Sequence, residues 1–368
     1  MKIIVVAPKN KTVFNFRGDL IRDMISKGNE VMVIGPNRDF IDDIMALGVS
    51  EFIEVPLVKD NTSVFGDLDY LKRLKKVFRE KKPDLVFGYT IKPVIYGSIA
   101  AKSAKVKNIY AMVTGLGRVY ASENIKTKII RTITKFLYKK AFKACNKVIF
   151  QNRDDIKEFV EQKYLSQSKC VQVNGSGVNM ERFAKTELPQ TPVFLMVSRI
   201  IREKGVLEYC EAARIVKKAH SEARFILLGG FDSSIGALKK EDIQPYIDDG
   251  SIEFPGEVKD PVAFYQQCSV FVLPSYYREG LPRTILEAMA CGRAVITTDW
   301  PGCREPIDDG VNGFMVPVKD SASIAEKMTI LVEERSKLES VAEQAYATCK
   351  EKYEVGRVNE QMRDTIGY

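Results

Sequence analysis

Short runs of aliphatic and β-branched residues alternate with longer stretches of helical apolar spacing along almost the whole chain. That alternation predicts parallel sheets assembled from strand–helix–strand units. In the first half the runs fall at 2–7, 30–34, 51–55, 84–88, 108–112, 147–151 and 170–173; in the second, at 193–198, 224–228, 251–254, 270–274, 294–297 and 313–316. Most are apolar throughout rather than alternating, as strands covered by helices on both faces require. With 368 residues the chain exceeds one ordinary core. The expected architecture is therefore α/β, two Rossmann-like domains facing across a cleft, with ligands at the carboxyl ends of the strands. The polar stretch 184–191 is the expected linker between domains at 1–185 and 190–350.

Composition narrows the chemistry. Hydrophobic residues make up 45% and charged residues 28%, ordinary for a globular protein. No apolar run is long enough to cross a bilayer, and 1–8 reads as a buried strand rather than a signal peptide. Seven cysteines include no CxxC pair and match reduced thiols in a cytoplasmic setting. His220 is the only histidine, so a Ser-His-Asp, Cys-His or multi-histidine metal site would rest on it alone. Charge is uneven: residues 1–185 hold 34 basic and 19 acidic side chains, whereas the remainder holds 22 and 29. The first half is thus expected to face something anionic.

The densest pattern is 274–292: a strand end, a turn with Glu279 and Gly280, then Leu281, Pro282, Thr284 and Glu287 in a helix ending near Gly292. Proline in the first helical turn and glycine past the end fit that reading. The helix start at 280–284 presents backbone N–H groups and a positive dipole end, a natural phosphate site. Either glutamate alone reads equally well as a solvated surface charge; together they could grip two sugars on either side of a diphosphate. Arg199 and Lys204, five residues apart after the strand at 193–198, supply a forked and a point-like cation for the same diphosphate. Read in isolation, these two are a solvated arginine and a surface ion pair with Glu203.

In context this half resembles glycosyltransferase family 4, whose signature is two glutamates with seven residues between them and then Ala-Met-Ala-Cys-Gly. Glu279, Glu287 and Ala288 to Gly292 match it. Arg199 to Gly205 resembles the family's phosphate clamp, Leu227 to Gly230 its glycine loop, Phe254 to Val258 its base-binding segment, and Asp308 to Phe314 the closing loop. The resemblance is strong over about 190–320 and loose over the first domain. It implies the GT-B fold, a UDP-sugar donor, retention at the anomeric carbon, no metal, and a C-terminal helix over 351–368 crossing back to the first domain. It also implies catalytic roles for Arg199, Lys204 and Glu279, and donor contacts from Gly229, Glu257, Val258, Gly280, Leu281, Thr284 and Glu287. In these terms Glu279 holds the transferred sugar and Glu287 the ribose. The likeness extends to transferases of capsule, O-antigen and lipid-linked glycans, including those moving N-acetylgalactosamine onto undecaprenyl-diphosphate sugars.

The first half holds the expected acceptor side. Residues 13–18 are expected to form a loop, with Asn15, Arg17 and Gly18 near the phosphate of a lipid-linked acceptor. Thr114 and Gly115 open a second loop, which reads equally as a plain turn. Relatives often carry paired glycines at the first of these and a histidine after a middle strand; this chain has neither, Tyr89 to Pro93 standing at the second. Residues 101–150 contain twelve basic side chains against Glu123 alone. Ile125, Ile129, Ile130, Ile133, Phe136, Leu137 and Phe142 recur there at helical spacing among lysines. That pattern predicts a basic amphipathic helix lying on an anionic membrane surface at the inner face of the plasma membrane; a helix packed on the sheet with a solvated basic face is the plainer reading.

Other chemistries lose ground. There is no Walker P-loop and no GxGxxG after the first strand, against P-loop phosphoryl transfer and dinucleotide oxidoreductases. Asp67-Leu68-Asp69 spells a metal-binding triplet but is expected in a polar surface loop, and no cofactor is expected. Nucleic-acid reader motifs are absent. A nucleotide-sugar epimerase or hydrolase of the same fold and a non-catalytic membrane-surface protein remain the alternatives.

Overall fold

The computed structural model describes residues 1–57, 64–116, 125–232 and 236–368, with the backbone alone at 64 and 125–131. The chain forms two compact units, Met1–Ser176 with Gly356–Tyr368, and Gly177–Val355. All thirteen runs picked out by hydrophobic pattern are strands, with ends shifted by one or two residues.

In the first unit the chain runs β1 (Lys2–Val6), α1 (Asn10–Ser26), β2 (Glu30–Gly35), α2 (Ile41–Met45), β3 (Glu51–Glu54), α3 (Val64–Lys81) and β4 (Leu85–Tyr89). It continues through α4 (Ser98–Ser103), β5 (Asn108–Val113), α5 (Ile125–Ala144), β6 (Lys147–Phe150), α6 (Arg153–Glu161) and β7 (Cys170–Gln172). The strands form one parallel sheet in the order β3-β2-β1-β4-β5-β6-β7. Alternate side chains serve opposite faces, as the pleat dictates. Ile4, Val6, Met32 and Val86 pack with Tyr70, Leu74, Phe78, Tyr138 and Phe142 from α3 and α5. Ile3, Val5, Val31, Val33 and Leu85 pack on the other face with Val13, Leu20, Ile21 and Met24 of α1.

The second unit runs β8 (Val193–Val197), α7 (Val206–Ala219), β9 (Arg224–Leu228), α8 (Lys240–Asp248), β10 (Glu253–Gly256), α9 (Val262–Gln267) and β11 (Val270–Leu273). Next come α10 (Arg283–Ala290), β12 (Ala294–Thr298), β13 (Phe314–Val316), α11 (Ser321–Glu333) and α12 (Arg335–Thr348), and then α13 (Val355–Ile366). Its parallel sheet has the order β10-β9-β8-β11-β12-β13.

Three expectations need correction. The change of unit falls at Ser176–Gly177, ahead of the polar stretch at 184–191, because Val178 and Phe183 already belong to the second core. Residues 13–18 are not a loop: α1 begins at Asn10, three residues after the buried Ala7, and contains them. Asp67-Leu68-Asp69 is likewise helical, in the first turns of α3, where Asp67 accepts hydrogen bonds from Lys92 Nζ and Tyr96 Oη at 2.8 Å each. The last helix does return to the first unit. Met362 and Ile366 enter its core, and Arg363 and Tyr368 both reach Asp23, at 3.1 and 2.7 Å.

Candidate functional site

The second unit gathers its polar side chains where β8, β9, β11 and β12 end. After β8 the chain passes through Arg199 and a single 3-10 turn, Arg202–Lys204, into α7. After β11 it passes through Ser275, Tyr276, Tyr277 and Glu279 into α10. The two connections meet. Lys204, only 8% exposed, forms an ion pair with Glu279. Ser275 Oγ donates to the same Glu279 oxygen at 3.3 Å. The Arg199 guanidinium and the Lys204 ammonium lie 5.5 and 5.9 Å from the centre of the Tyr277 ring. Both cations of the expected clamp therefore face one aromatic ring, one turn of chain from Glu279 and the start of α10.

The environment holds these charges. Arg199 pairs with Asp232 at 2.7 Å. Burial works against the Arg199 cation, but Asp232 and Tyr277 more than offset it. Pro282 occupies the N-cap of α10, and proline has no side-chain oxygen to cap a helix. No acidic residue stands in the first turn of the helix itself. Gly280 and Leu281 are buried beside it; Leu281 belongs to the apolar core, while Thr284 is half-buried.

Glu287 lies one turn inside α10 with its side chain 14% exposed, 3.2 Å from Arg283 Nε. Burial raises the affinity of its carboxylate for a proton; Arg283, Tyr265 and Arg182 pull the other way. Gly229 and Gly230 follow β9. A Cβ on Gly229 would collide with the Ser198 carbonyl, and one on Gly230 would sit 2.6 Å from Glu257 Oε2. Glycine thus lets β8 and β9 close up and lets the Glu257 carboxylate lie against the backbone. Val258 is half-buried against the core.

Several contributors escape sequence reasoning: Asp232 as the partner of Arg199, Tyr277 as the shared platform, Arg283 as the partner of Glu287, and the loop after β12. That loop and the last residue of β12 hold the segment from Ser275 to Gly280. Thr298 Oγ1 and Cys303 Sγ both donate to the Ser275 carbonyl, and a Cβ on Gly302, whose φ is 83°, would stand 2.5 Å from the Glu279 carbonyl. The pair Tyr276-Tyr277 beside Glu279 was a readable signal; the others needed three dimensions.

In the first unit the expected acceptor residues lie on α1 and just after β5, and Arg17 joins the two elements through Met112. Arg17 is 3% exposed, donates to Ser176 Oγ at 2.8 Å and to Met112 Sδ at 2.9 Å, and lies over the Tyr89 ring at 5.0 Å. Its guanidinium is turned into the fold, not toward solvent. Gly18 is buried in α1 against Leu47, and Asn15 is half-buried on the same helix. Thr114 and Gly115 follow β5 in a partly exposed loop, while Gly117 lies outside the described residues. Thr90, just after the end of β4, takes φ 67°, a backbone state that costs a β-branched residue about 1–3 kcal/mol and gathers at functional positions.

Helix α5 is as long as expected. Phe142 and Tyr138 are buried, but Ile133 and Phe136 are 57% and 67% exposed, beside exposed Lys139 and Lys140. The side chains of Ile125, Lys126, Lys128, Ile129, Ile130 and Arg131 lie outside the described residues. Among the described residues no helix is long and apolar enough to cross a membrane, and no group of side chains suits a metal ion. His220 ends α7, 3.5 Å from Glu333 and at the opposite end of that helix from Lys204.

Comparison with known proteins bears on the family and the fold. The family described as Glycosyl transferases group 1 matches residues 179–348, and that described as Glycosyl transferase 4-like matches 2–152. The N,N'-diacetylbacillosaminyl-diphospho-undecaprenol alpha-1,3-N-acetylgalactosaminyltransferase of Campylobacter jejuni is 30% identical over 91% of this chain and 90% of its own. The UDP-Gal:alpha-D-GlcNAc-diphosphoundecaprenol alpha-1,3-galactosyltransferase of Escherichia coli is 27% identical over 82% and 78%. The Anabaena Alr3699/HepE structure in complex with UDP superposes with a TM-score of 0.79 at 19% identity, covering 99% of both chains. Two parallel sheets of this topology, matched over their whole length, are the GT-B fold. With two family models matching the two halves in order and a relative similar along nearly its entire length, the chain belongs to glycosyltransferase family 4 and is a hexosyltransferase.

Proposed function

We propose that this enzyme moves a sugar, an N-acetylhexosamine such as GalNAc or GlcNAc, from a UDP-sugar to a polyprenyl-diphosphate-linked sugar during cell-surface glycan synthesis. The observation that carries the reading is the meeting of Arg199, Lys204, Tyr277 and Glu279 in front of α10. Support for the substrates comes from the relatives' own acceptors, undecaprenol-linked in both cases, and from the UDP-sugar named as donor of the Escherichia coli enzyme.

In this reading the diphosphate enters between Arg199, Lys204 and the first turn of α10. The bond from the anomeric carbon to the diphosphate oxygen breaks, and negative charge gathers on the departing nucleotide, where preorganised cations and dipoles matter most. The acceptor hydroxyl oxygen bonds to the same face of the sugar, so configuration is retained. Its proton passes to the leaving phosphate oxygen, in keeping with a site that has no nearby histidine. Glu279 receives hydroxyls of the transferred sugar and Glu287 those of the ribose, with Gly229, Glu257 and Val258 lining the base side. Two cations and a helix end balance the diphosphate charge, so turnover is independent of divalent metal. The enzyme works at the inner face of the plasma membrane, held peripherally through α5.

The test is transfer from a panel of UDP- and other nucleotide sugars to a polyprenyl-diphosphate sugar, with and without EDTA, followed by stereochemical analysis of the product. Transfer of an N-acetylhexosamine with an α-linkage, undiminished by EDTA, is the expected result. Free monosaccharide released without acceptor would instead place the enzyme among hydrolases or epimerases of this fold.

A further inference from the structure

Arg283 breaks a local rule. It is the first residue of α10, where a cation opposes the helix dipole and an acidic side chain is the ordinary choice. It is not left in solvent, where that cost would be smallest: its side chain is 11% exposed and turned along the helix to Glu287, four residues on, with Nε at 3.2 Å from the carboxylate. Departures of this kind are expected where function demands them. Among the described residues, the charged and titratable groups facing Glu287 each have a definable effect. Burial favours the neutral acid; Arg283 from the same helix opposes it most, then Tyr265 from α9 and Arg182 from the segment before β8. Arg182 is itself shared with Asp260 at 3.1 Å, which weakens its share. Cys291, at the end of α10, is a buried thiol held above its ordinary value by burial and contributes no charge.

We propose that Arg283 is a positioning residue for the nucleoside: its guanidinium fixes the Glu287 carboxylate as the acceptor of the ribose hydroxyls and keeps donor affinity insensitive to acid. The inference rests on the donor reading above. A protonated Glu287 would present one hydroxyl donor in place of an oxygen acceptor and lose its charge-assisted bonds to the ribose. Arg283 does not touch the sugar being transferred, so it acts on donor binding and not on turnover once the donor is bound.

The experiment measures calorimetric affinity for UDP, for 2',3'-dideoxyuridine diphosphate and for inorganic pyrophosphate, from about pH 5.5 to pH 8.5, in the wild type, Arg283→Met and Arg283→Lys. Phosphate ionisation is common to all proteins and cancels in the ratio of variant to wild type. For UDP, the Arg283→Met ratio is expected to fall about tenfold per pH unit on the acid side, the signature of one proton competing with the ligand, and Arg283→Lys to restore most of the level profile. With the dideoxy probe and with pyrophosphate the ratio stays near one at every pH. KM for the donor should follow the UDP affinity while kcat stays within about twofold. A level UDP ratio in Arg283→Met overturns the inference, as does an equal loss with pyrophosphate, which would make Arg283 a phosphate ligand. Should Arg283→Met fail to fold, Arg283→Gln carries the same expectations. Failure of the wild type to bind UDP at any pH is a distinct outcome, which removes the donor reading and this inference with it.

Discussion

Lys204 and Glu279 form an ion pair, and the proposed function gives each a separate task once a diphosphate sugar is present, one toward the phosphate and the other toward the sugar. Lys204→Ala removes a point charge aimed at the leaving group and is expected to lower kcat about 10²–10³-fold, the usual effect of deleting one preorganised stabiliser. Circular dichroism should remain unchanged, because Glu279 keeps Ser275 as a donor. Steady-state kinetics with saturating donor reads the effect; near-normal kcat would take Lys204 out of the chemistry. Glu287 offers a pH test on the protein without ligand. Its folded-state proton affinity is raised, with burial as the main cause. The folded protein therefore binds that proton more tightly than the unfolded chain. Its contribution to stability is greatest below the unfolded carboxyl value of about 4.3, and is lost as pH rises through the folded value. Glu287→Gln, always neutral, should melt higher than wild type near neutral pH and show no gain in acid. An equal gain at every pH would mean that ionisation of Glu287 is not the cause.

At the scale of elements, the strands were legible and their tops were not. Near-continuous apolar runs such as Ile3 to Val6 and Val193 to Met196 can only be strands buried on both faces, and they are. The helix start after Glu279 was legible from Pro282, although proline proves to be the N-cap rather than the first helical residue. Residues 13–18 are helical although no capping side chain announces the start, Lys9 standing at the N-cap. Helix α1 starts there because Ala7 ends the strand and Val13, Leu20, Ile21 and Met24 repeat at helical spacing over the sheet. The buttress behind Glu279 could not be read, since it joins chain segments more than twenty residues apart: Gly302 packs on the Glu279 and Gly280 carbonyls, and Cys303 and Thr298 on that of Ser275. Gly302→Ala would place a methyl group 2.5 Å from one carbonyl and 2.7 Å from the next at a φ that disfavours any side chain. The expected cost is about 1–3 kcal/mol, seen as a lower denaturation midpoint with an unchanged m-value, together with a fall in kcat/KM as the Glu279 turn shifts. Full activity in Gly302→Ala would mean the turn is held without this loop.

For the molecule as a whole, the excess of positive charge in the first half finds one surface on α5. Tyr138 and Phe142 anchor that helix in the core, while Ile133 and Phe136 stand out from it with Lys139 and Lys140 alongside. The exposure of an isoleucine and a phenylalanine three residues apart is what supports the proposed contact with a bilayer interface. Each side chain inserted is worth about 1.5–3 kcal/mol of apolar burial, and each lysine near anionic headgroups adds about 1 kcal/mol. Two independent contributions make the proposal separable by vesicle flotation. Lys139→Gln with Lys140→Gln should weaken binding to anionic vesicles by about thirtyfold at low salt, and the deficit should shrink as salt screens the wild type. Phe136→Ser should weaken binding by a factor that barely depends on salt, because burial of an aromatic ring is not a Coulombic effect. Transfer to a short-chain, water-soluble acceptor should be unaffected by either change, since neither side chain belongs to the donor site. Equal binding of wild type and both variants to anionic vesicles would leave the exposed ridge of α5 without a membrane role and return the basic face to plain solvation.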